Sequence, residues 1–140
     1  MARYAEGTTV SVESSRGEIS GILAKHGVVR QGWASDPEGD VLQFELAGYQ
    51  YRFRISKPTR TEAWNMFPNA REIEPKMAQE WKRRWRANVL LLKAKLEFAD
   101  GEVSTVMREL MPYALLKDGR TLEEAVLEGD SVPLLAARAG

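Results

Sequence analysis

The 140-residue chain predicts an α+β fold with a three-stranded antiparallel sheet packed against helices, in the order α-β-β-β-α-α-α. Residues 41–46 and 49–55 alternate apolar and polar side chains on either side of Ala47-Gly48, which is typical of an antiparallel hairpin with one solvated face. Residues 74–98 instead repeat apolar side chains at three- and four-residue steps, which predicts a long amphipathic helix. A sheet covered by helices is the simplest architecture that buries both kinds of apolar surface.

The first helix is predicted from capping residues and apolar spacing. Ser11 or Ser14 can cap its start, and Gly27 is suited to its end. Gly17 and Gly21 weaken this helix by about 1 kcal/mol each relative to alanine, and we expect them to allow a close approach to the sheet. The apolar side of the helix holds Val12, Ile19, Ile22 and Leu23.

The three strands are separated by two turns. We expect Val28, Val29 and Trp33 in the first strand. A turn follows at residues 36–40, where a proline presets φ and a glycine accepts positive φ. In the second and third strands, the inward positions are predicted to be Leu42, Phe44, Leu46, Tyr49, Tyr51, Phe53 and Ile55.

Residues 56–74 form the longest stretch without a regular pattern. A loop of this length in a compact domain is often functional or contains a short helix, and we expect a helical segment within residues 61–67. The long helix comes next. Its two tryptophans, Trp81 and Trp85, lie on the apolar stripe and are interpreted as core residues.

Two shorter helices are predicted toward the C-terminus. The first covers residues 102–116 and is interrupted by Pro112. The second begins at Thr121, because Thr121 and Glu124 have the spacing of a capping box.

Length and composition favour one cytoplasmic domain over residues 1–140, with a mobile arm at residues 1–10 and a tail at residues 132–140. No apolar run approaches the roughly 20 residues that span a bilayer. The chain has no cysteine, and its one histidine, His26, is interpreted as a cation at the end of the first helix. Phosphate-binding glycine loops and nucleophile elbows are absent. We therefore expect a protein that is not an enzyme and holds no metal or cofactor.

Basic residues on the long helix and the third strand form the first candidate site. Arginine binds phosphate through two parallel hydrogen bonds, so a joined basic face would suit a nucleic-acid backbone. Two observations favour a solvated surface instead. The formal net charge is zero, and Glu80 can pair with nearby arginines. The residues of this predicted basic face are Arg52, Arg54, Lys82, Arg83, Arg84, Arg86 and Lys93.

The alternative function is a protein-binding module that captures or inhibits a host factor, or that self-associates. An exposed apolar patch would mark such a module, and we expect it around Trp64, Met66 and Phe67 or at Leu134-Leu135 in the tail. An exposed sheet edge could also pair two copies of the chain, and the alternating third strand is the candidate.

Several segments resemble a family of small bacteriophage and prophage proteins from actinobacteria and other high-GC bacteria. The resemblance implies a phage or prophage origin and an accessory role, and it assigns a role to no residue. The segments are Tyr4-Ala5-Glu6, Thr9-Val10-Ser11-Val12-Glu13 with Arg16 and Glu18-Ile19, Arg52-Phe53, Arg83-Arg84-Trp85-Arg86-Ala87 with Lys93-Ala94-Lys95-Leu96-Glu97, and Asp118-Gly119-Arg120-Thr121.

The predicted order αβββα also resembles the double-stranded-RNA-binding domain at the level of topology. Two features depart from that domain. The stretch before the long helix is unusually long, and residues 75–78 offer one lysine where a cluster would be expected.

Overall fold

A computed structural model describes residues 5–129 and confirms the predicted fold class and element order. The sheet has the order β1-β2-β3, and both of its strand pairs are antiparallel. The elements are α1 (Val12–Lys25), β1 (Arg30–Asp36), β2 (Gly39–Leu46), β3 (Tyr49–Ser56), α2 (Arg60–Met66), α3 (Glu74–Asp100), α4 (Val106–Leu110), a 3₁₀ turn (Met111–Tyr113) and α5 (Leu122–Leu127).

Two tight turns set the register of the sheet. Ala47 and Gly48 have φ values of 51° and 86°, which makes their two-residue turn type I′. At the other turn, the Asp36 carboxylate accepts hydrogen bonds from the amides of Glu38 and Gly39, at 2.7 and 3.0 Å. Glycine is required at position 39 because an added Cβ would lie 2.3 Å from the carbonyl oxygen of Ile55. Both turns therefore depend on residues whose conformational preferences can be recognised in the sequence.

The core lies between one face of the sheet and the helices α1 and α3. Trp85 is fully buried and stacks on Trp33 with ring centroids 5.3 Å apart, while Trp81 meets Trp85 edge-on at 6.0 Å. The Arg16 guanidinium lies 5.5 Å from the Trp33 ring centroid and 5.2 Å from that of Trp85. The buried cluster comprises Ile19, Leu23, Val28, Leu42, Phe44, Tyr51, Phe53, Ile55, Trp85, Val89, Leu92, Leu96 and Leu110.

Capping residues fix the helix starts largely as predicted. Ser11 is the N-cap of α1, and its hydroxyl accepts from the amide of Ser14 at 3.1 Å. Thr121 is the N-cap of α5 and accepts from the amide of Glu124 at 3.2 Å. The helix expected within residues 61–67 is α2, which begins one residue earlier because Thr59 caps it.

Several expectations near the strands were wrong. Tyr49 is 57% exposed, because it directly follows the turn at the end of the hairpin. Val28 and Val29 both precede β1, which begins at Arg30; Val28 is buried, whereas Val29 is 90% exposed. Gly17 and Gly21 make no close approach to the sheet, since both are exposed and an added Cβ would meet no atom within 4 Å.

The helix predicted over residues 102–116 is reduced to Val106–Leu110. Proline has no amide hydrogen to continue the α-helical hydrogen bonds, and the chain tightens into a 3₁₀ turn at Pro112. The next residues extend along β3, where Ala114 forms a bridge with Tyr51. This short extended segment covers part of the outer edge of β3.

Parts of the predicted arm and the whole predicted tail lie outside the described residues. Within the described part of the arm, the carbonyl of Thr8 accepts a hydrogen bond from Gln79 of α3 at 2.8 Å. The predicted tail at residues 132–140 and the first four residues are not described. No helix between residues 5 and 129 has the length and apolar character needed to cross a membrane.

Adjacent leucines on α3 test the assignment of its buried face. Leu92 is 1% exposed and Leu91 is 40% exposed. We expect Leu92→Ala to lower the free energy of unfolding by about 2–5 kcal/mol, because it leaves a cavity in the core. Leu91→Ala is the matched control and should cost less than about 1 kcal/mol. Equal losses in urea unfolding would contradict the assigned face.

Candidate interaction surface

Arg83 and Arg84 of the predicted basic face bind one buried carboxylate. Glu80 is 1% exposed and lies one helical turn before both arginines. Arg83 donates from Nε at 2.7 Å and from Nη2 at 2.9 Å, and Arg84 donates from Nε at 2.9 Å. These hydrogen bonds raise the pKa of the Arg83 guanidinium above its ordinary value. Both side chains are therefore held against their own helix.

Arg84 also joins three elements. Its Nη2 donates to Glu62 of α2 at 2.9 Å, and its Nη1 donates to the carbonyl of Ser56 at the end of β3 at 2.8 Å. The hydrogen bond from Arg84 lowers the pKa of the Glu62 carboxyl. Arg86 has a similar role on the other side of α3, where it pairs with Glu18 of α1. These arginines stabilise contacts between helices.

The arginines of β3 are paired as well. Arg52 donates from Nη2 to both carboxylate oxygens of Glu124, at 2.9 and 3.2 Å, which connects α5 to the outer face of the sheet. This contact lowers the pKa of the Glu124 carboxyl. At the first turn, Nη2 of Arg54 lies 3.5 Å from Oδ1 of Asp36 and 3.6 Å from Oε2 of Glu38.

Most residues of the predicted basic face are therefore engaged in ion pairs within the chain. Five of its seven members pair with carboxylates of the chain. Within residues 5–129, Lys82 and Lys93 form no ion pair and remain the members best placed to meet an external anion. Nucleic-acid binding stays a prediction.

The predicted aromatic patch is only partly open. Trp64 of α2 is 40% exposed, whereas Met66 and Phe67 are half-buried. The ammonium group of Lys76 lies 5.3 Å from the Phe67 ring centroid. The three residues stay a predicted protein-binding site whose exposed part is Trp64.

The β3 edge, which the sequence offered as the candidate for pairing, is covered at Gln50 by the segment that follows Pro112. The amide of Leu115 donates to the carbonyl of Gln50 at 2.9 Å, and Ala114 forms its bridge with Tyr51. Tyr113 then stacks on Phe53 with ring centroids 3.8 Å apart. In the described part of the chain, β1 is an edge strand on which no segment other than β2 forms a backbone hydrogen bond or bridge.

The free backbone groups of β1 follow from the type I′ turn. That turn makes Leu46 and Tyr49 a hydrogen-bonded pair, so the even-numbered residues of β2 bond to β3 and the odd-numbered ones bond to β1. The register pairs odd residues of β2 with even residues of β1. The amides and carbonyls of Gln31, Trp33 and Ser35 therefore point away from the sheet.

Several devices that commonly protect a sheet edge are not found at β1 in the described residues. Residues 30–36 contain no proline and no lysine, and their pairing with β2 runs without a bulge. Six of the seven residues are exposed, and only Trp33 is half-buried. Beside the edge, an open groove of about 450 Å³ runs over the outer face of β1 and β2. The sequence signal for an edge strand was the lack of apolar alternation in residues 30–36.

The described acidic side chains and His26 do not form a metal-binding cluster. Residues 5–129 contain no group of three or more histidine or acidic side chains placed to hold a metal ion. His26 caps the end of α1 as expected, and its Nδ1 contacts a carboxylate oxygen of Asp100 in α3. Comparison with protein-family models, curated proteins and solved structures gives no match.

The structural role of Arg83 and Arg84 can be tested through Glu80. We expect Glu80→Ala to lower the free energy of unfolding by about 3 kcal/mol. This is the lower end of the range for breaking a buried pair, because both guanidinium groups are partly exposed. Glu97→Ala, at an exposed position of the same helix, is the control and should change stability by less than about 0.5 kcal/mol. Similar urea midpoints for the two variants would show that Glu80 is not a structural partner.

Proposed function

We propose that this chain is a non-enzymatic protein-interaction module that binds its partner by adding a strand to β1. The unpaired edge of β1 is the observation that carries the proposal, because three residues direct their backbone hydrogen-bonding groups outward along it. In strand addition, backbone hydrogen bonds supply affinity and alternate side chains supply specificity. The groove beside β1 offers a place for such side chains.

Electrostatics also favour a protein partner over a nucleic-acid backbone. The formal net charge is zero, and all five arginines of the predicted basic face already pair with carboxylates. Binding a phosphate backbone through those arginines would require breaking contacts that hold helices and sheet together. A phage or prophage accessory role, in which the module captures or inhibits a host factor, rests on the family resemblance and is part of this proposal.

A proline at an outward-facing position of β1 tests strand addition directly. Ser35→Pro removes an amide that points away from β2, so the native ladder is retained while an added strand loses a donor. Ser35→Thr keeps the amide and is the matched control. We expect a partner captured by the wild type from host extract to be retained by Ser35→Thr and lost by Ser35→Pro.

Folding must be checked in the same variants. Near-ultraviolet circular dichroism reports the stacked pair Trp33 and Trp85 and should be unchanged in Ser35→Pro. Gln31→Pro provides a second variant of the same design if the first is unstable. A partner that binds the folded proline variants as tightly as the wild type would rule out strand addition at β1.

Nucleic-acid binding is a second candidate because Lys82 and Lys93 lie on α3 without an ion pair in the described residues. Fluorescence anisotropy with labelled single- and double-stranded DNA and RNA would detect it. We expect any such affinity to fall steeply with salt and to be lost in Lys82→Glu/Lys93→Glu, which disturbs no ion pair. An affinity independent of salt, or none at low salt, would exclude this candidate.

A further inference from the structure

We infer that β1 pairs with β1 of a second copy of this chain, antiparallel and centred on Trp33. This inference rests on the proposed function and names the partner of the open edge. The two copies would form one continuous six-stranded sheet around a two-fold axis, with their helices on the same face.

The backbone pattern selects the register. In a two-fold antiparallel pair, the central residue lies opposite the same residue of the second copy. The two form a hydrogen-bonded pair when each directs its amide and carbonyl toward the other copy. Trp33 is the middle residue of β1 and has this orientation. Gln31 then lies opposite Ser35 of the second copy. Three hydrogen-bonded pairs would give roughly six backbone hydrogen bonds, and every outward-facing group of β1 would be used.

The charges at the two ends of β1 agree with this register. It places Arg30 opposite Asp36 of the second copy, on the outer face of the sheet, and the two-fold axis repeats the pair. Arg30 is exposed and forms no ion pair within the described residues. Asp36 makes its three hydrogen bonds through Oδ1, so Oδ2 remains available. Parallel pairing in register would instead place Arg30 against Arg30.

Trp33 supplies the apolar contact at the centre. One part of its ring packs against Trp85, and the side chain is half-buried in the single chain. In the pair, two copies of Trp33 would lie directly opposite each other on the helix side of the sheet. Cross-strand aromatic pairs stabilise sheets, so the part of the ring left exposed in one copy would be covered by the other.

Sedimentation equilibrium of the full chain tests self-pairing. At about 100 µM protein, where an edge contact of micromolar affinity is populated, we expect a dimer mass for the wild type and for Ser35→Thr. Ser35→Pro and Gln31→Pro should give the monomer mass while keeping the near-ultraviolet spectrum of the wild type. A dimer that survives both prolines would overturn the inference.

Single cysteines test the register, because the natural chain has none. Gly32 lies opposite Ala34 of the second copy in a pair without hydrogen bonds, where Cα atoms are about 4.5 Å apart and a disulfide fits. A Cβ added at Gly32 meets no atom within 4 Å. Under mild oxidation, a mixture of Gly32→Cys and Ala34→Cys should cross-link, whereas either variant alone should not.

The outcomes separate this inference from the proposed function. A wild-type protein that is monomeric at every concentration, yet binds another protein in a way that Ser35→Pro abolishes, would overturn self-pairing and retain the function. Cross-linking of Gly32→Cys alone or Ala34→Cys alone would overturn the register. Dimerisation and cross-linking as expected, without capture of any other protein, would support self-pairing and exclude capture of a host factor.

Discussion

The type I′ turn at Ala47-Gly48 is the constraint on which the rest of the sheet depends. It fixes which residues of β2 and β3 form hydrogen-bonded pairs, and the side-chain period of two then decides which face of each strand is buried. The same parity extends through β2 to β1 and determines which backbone groups of β1 face outward. A slip of one residue at this turn would turn apolar side chains toward solvent. It would also change which backbone groups of β1 face outward. One local conformation therefore sets both the core and the proposed interaction surface.

Charged residues stabilise this fold chiefly by linking elements that are distant in sequence. The Glu80 carboxylate accepts hydrogen bonds from two arginines of α3, and Arg84 also bonds to α2 and to the end of β3. Arg52 connects β3 to α5 across 72 positions of the chain. A buried carboxylate costs free energy unless it is paired, so these arginines compensate for the burial of Glu80 and are retained in place. This explains how a helix dense in cations can belong to a chain with zero formal net charge.

The sequence predicted those parts of the structure in which periodicity or a cap acts locally. Alternation in residues 41–55 predicted the hairpin, and the apolar stripe predicted the core role of Trp85. The partners of Arg52 and Arg86 could not be predicted, because pairing at 72 and 68 positions of separation depends on the assembled fold. The cover over the Gln50 end of β3 could not be predicted, because the segment that supplies it follows Pro112 and has no strand pattern of its own.

The segment that covers part of the β3 edge has a consequence for assembly. A sheet with two free edges can add strands without limit, which is the hazard that native proteins avoid. In the described residues, Ala114 and Leu115 cover the Gln50 end of the β3 edge, so the proposed pairing through β1 would favour an assembly that closes at two copies. The charges at the ends of β1 reinforce closure, because they attract in the two-fold antiparallel pair and repel in parallel stacking. An exposed edge without proline, lysine or a bulge is therefore compatible with a discrete complex.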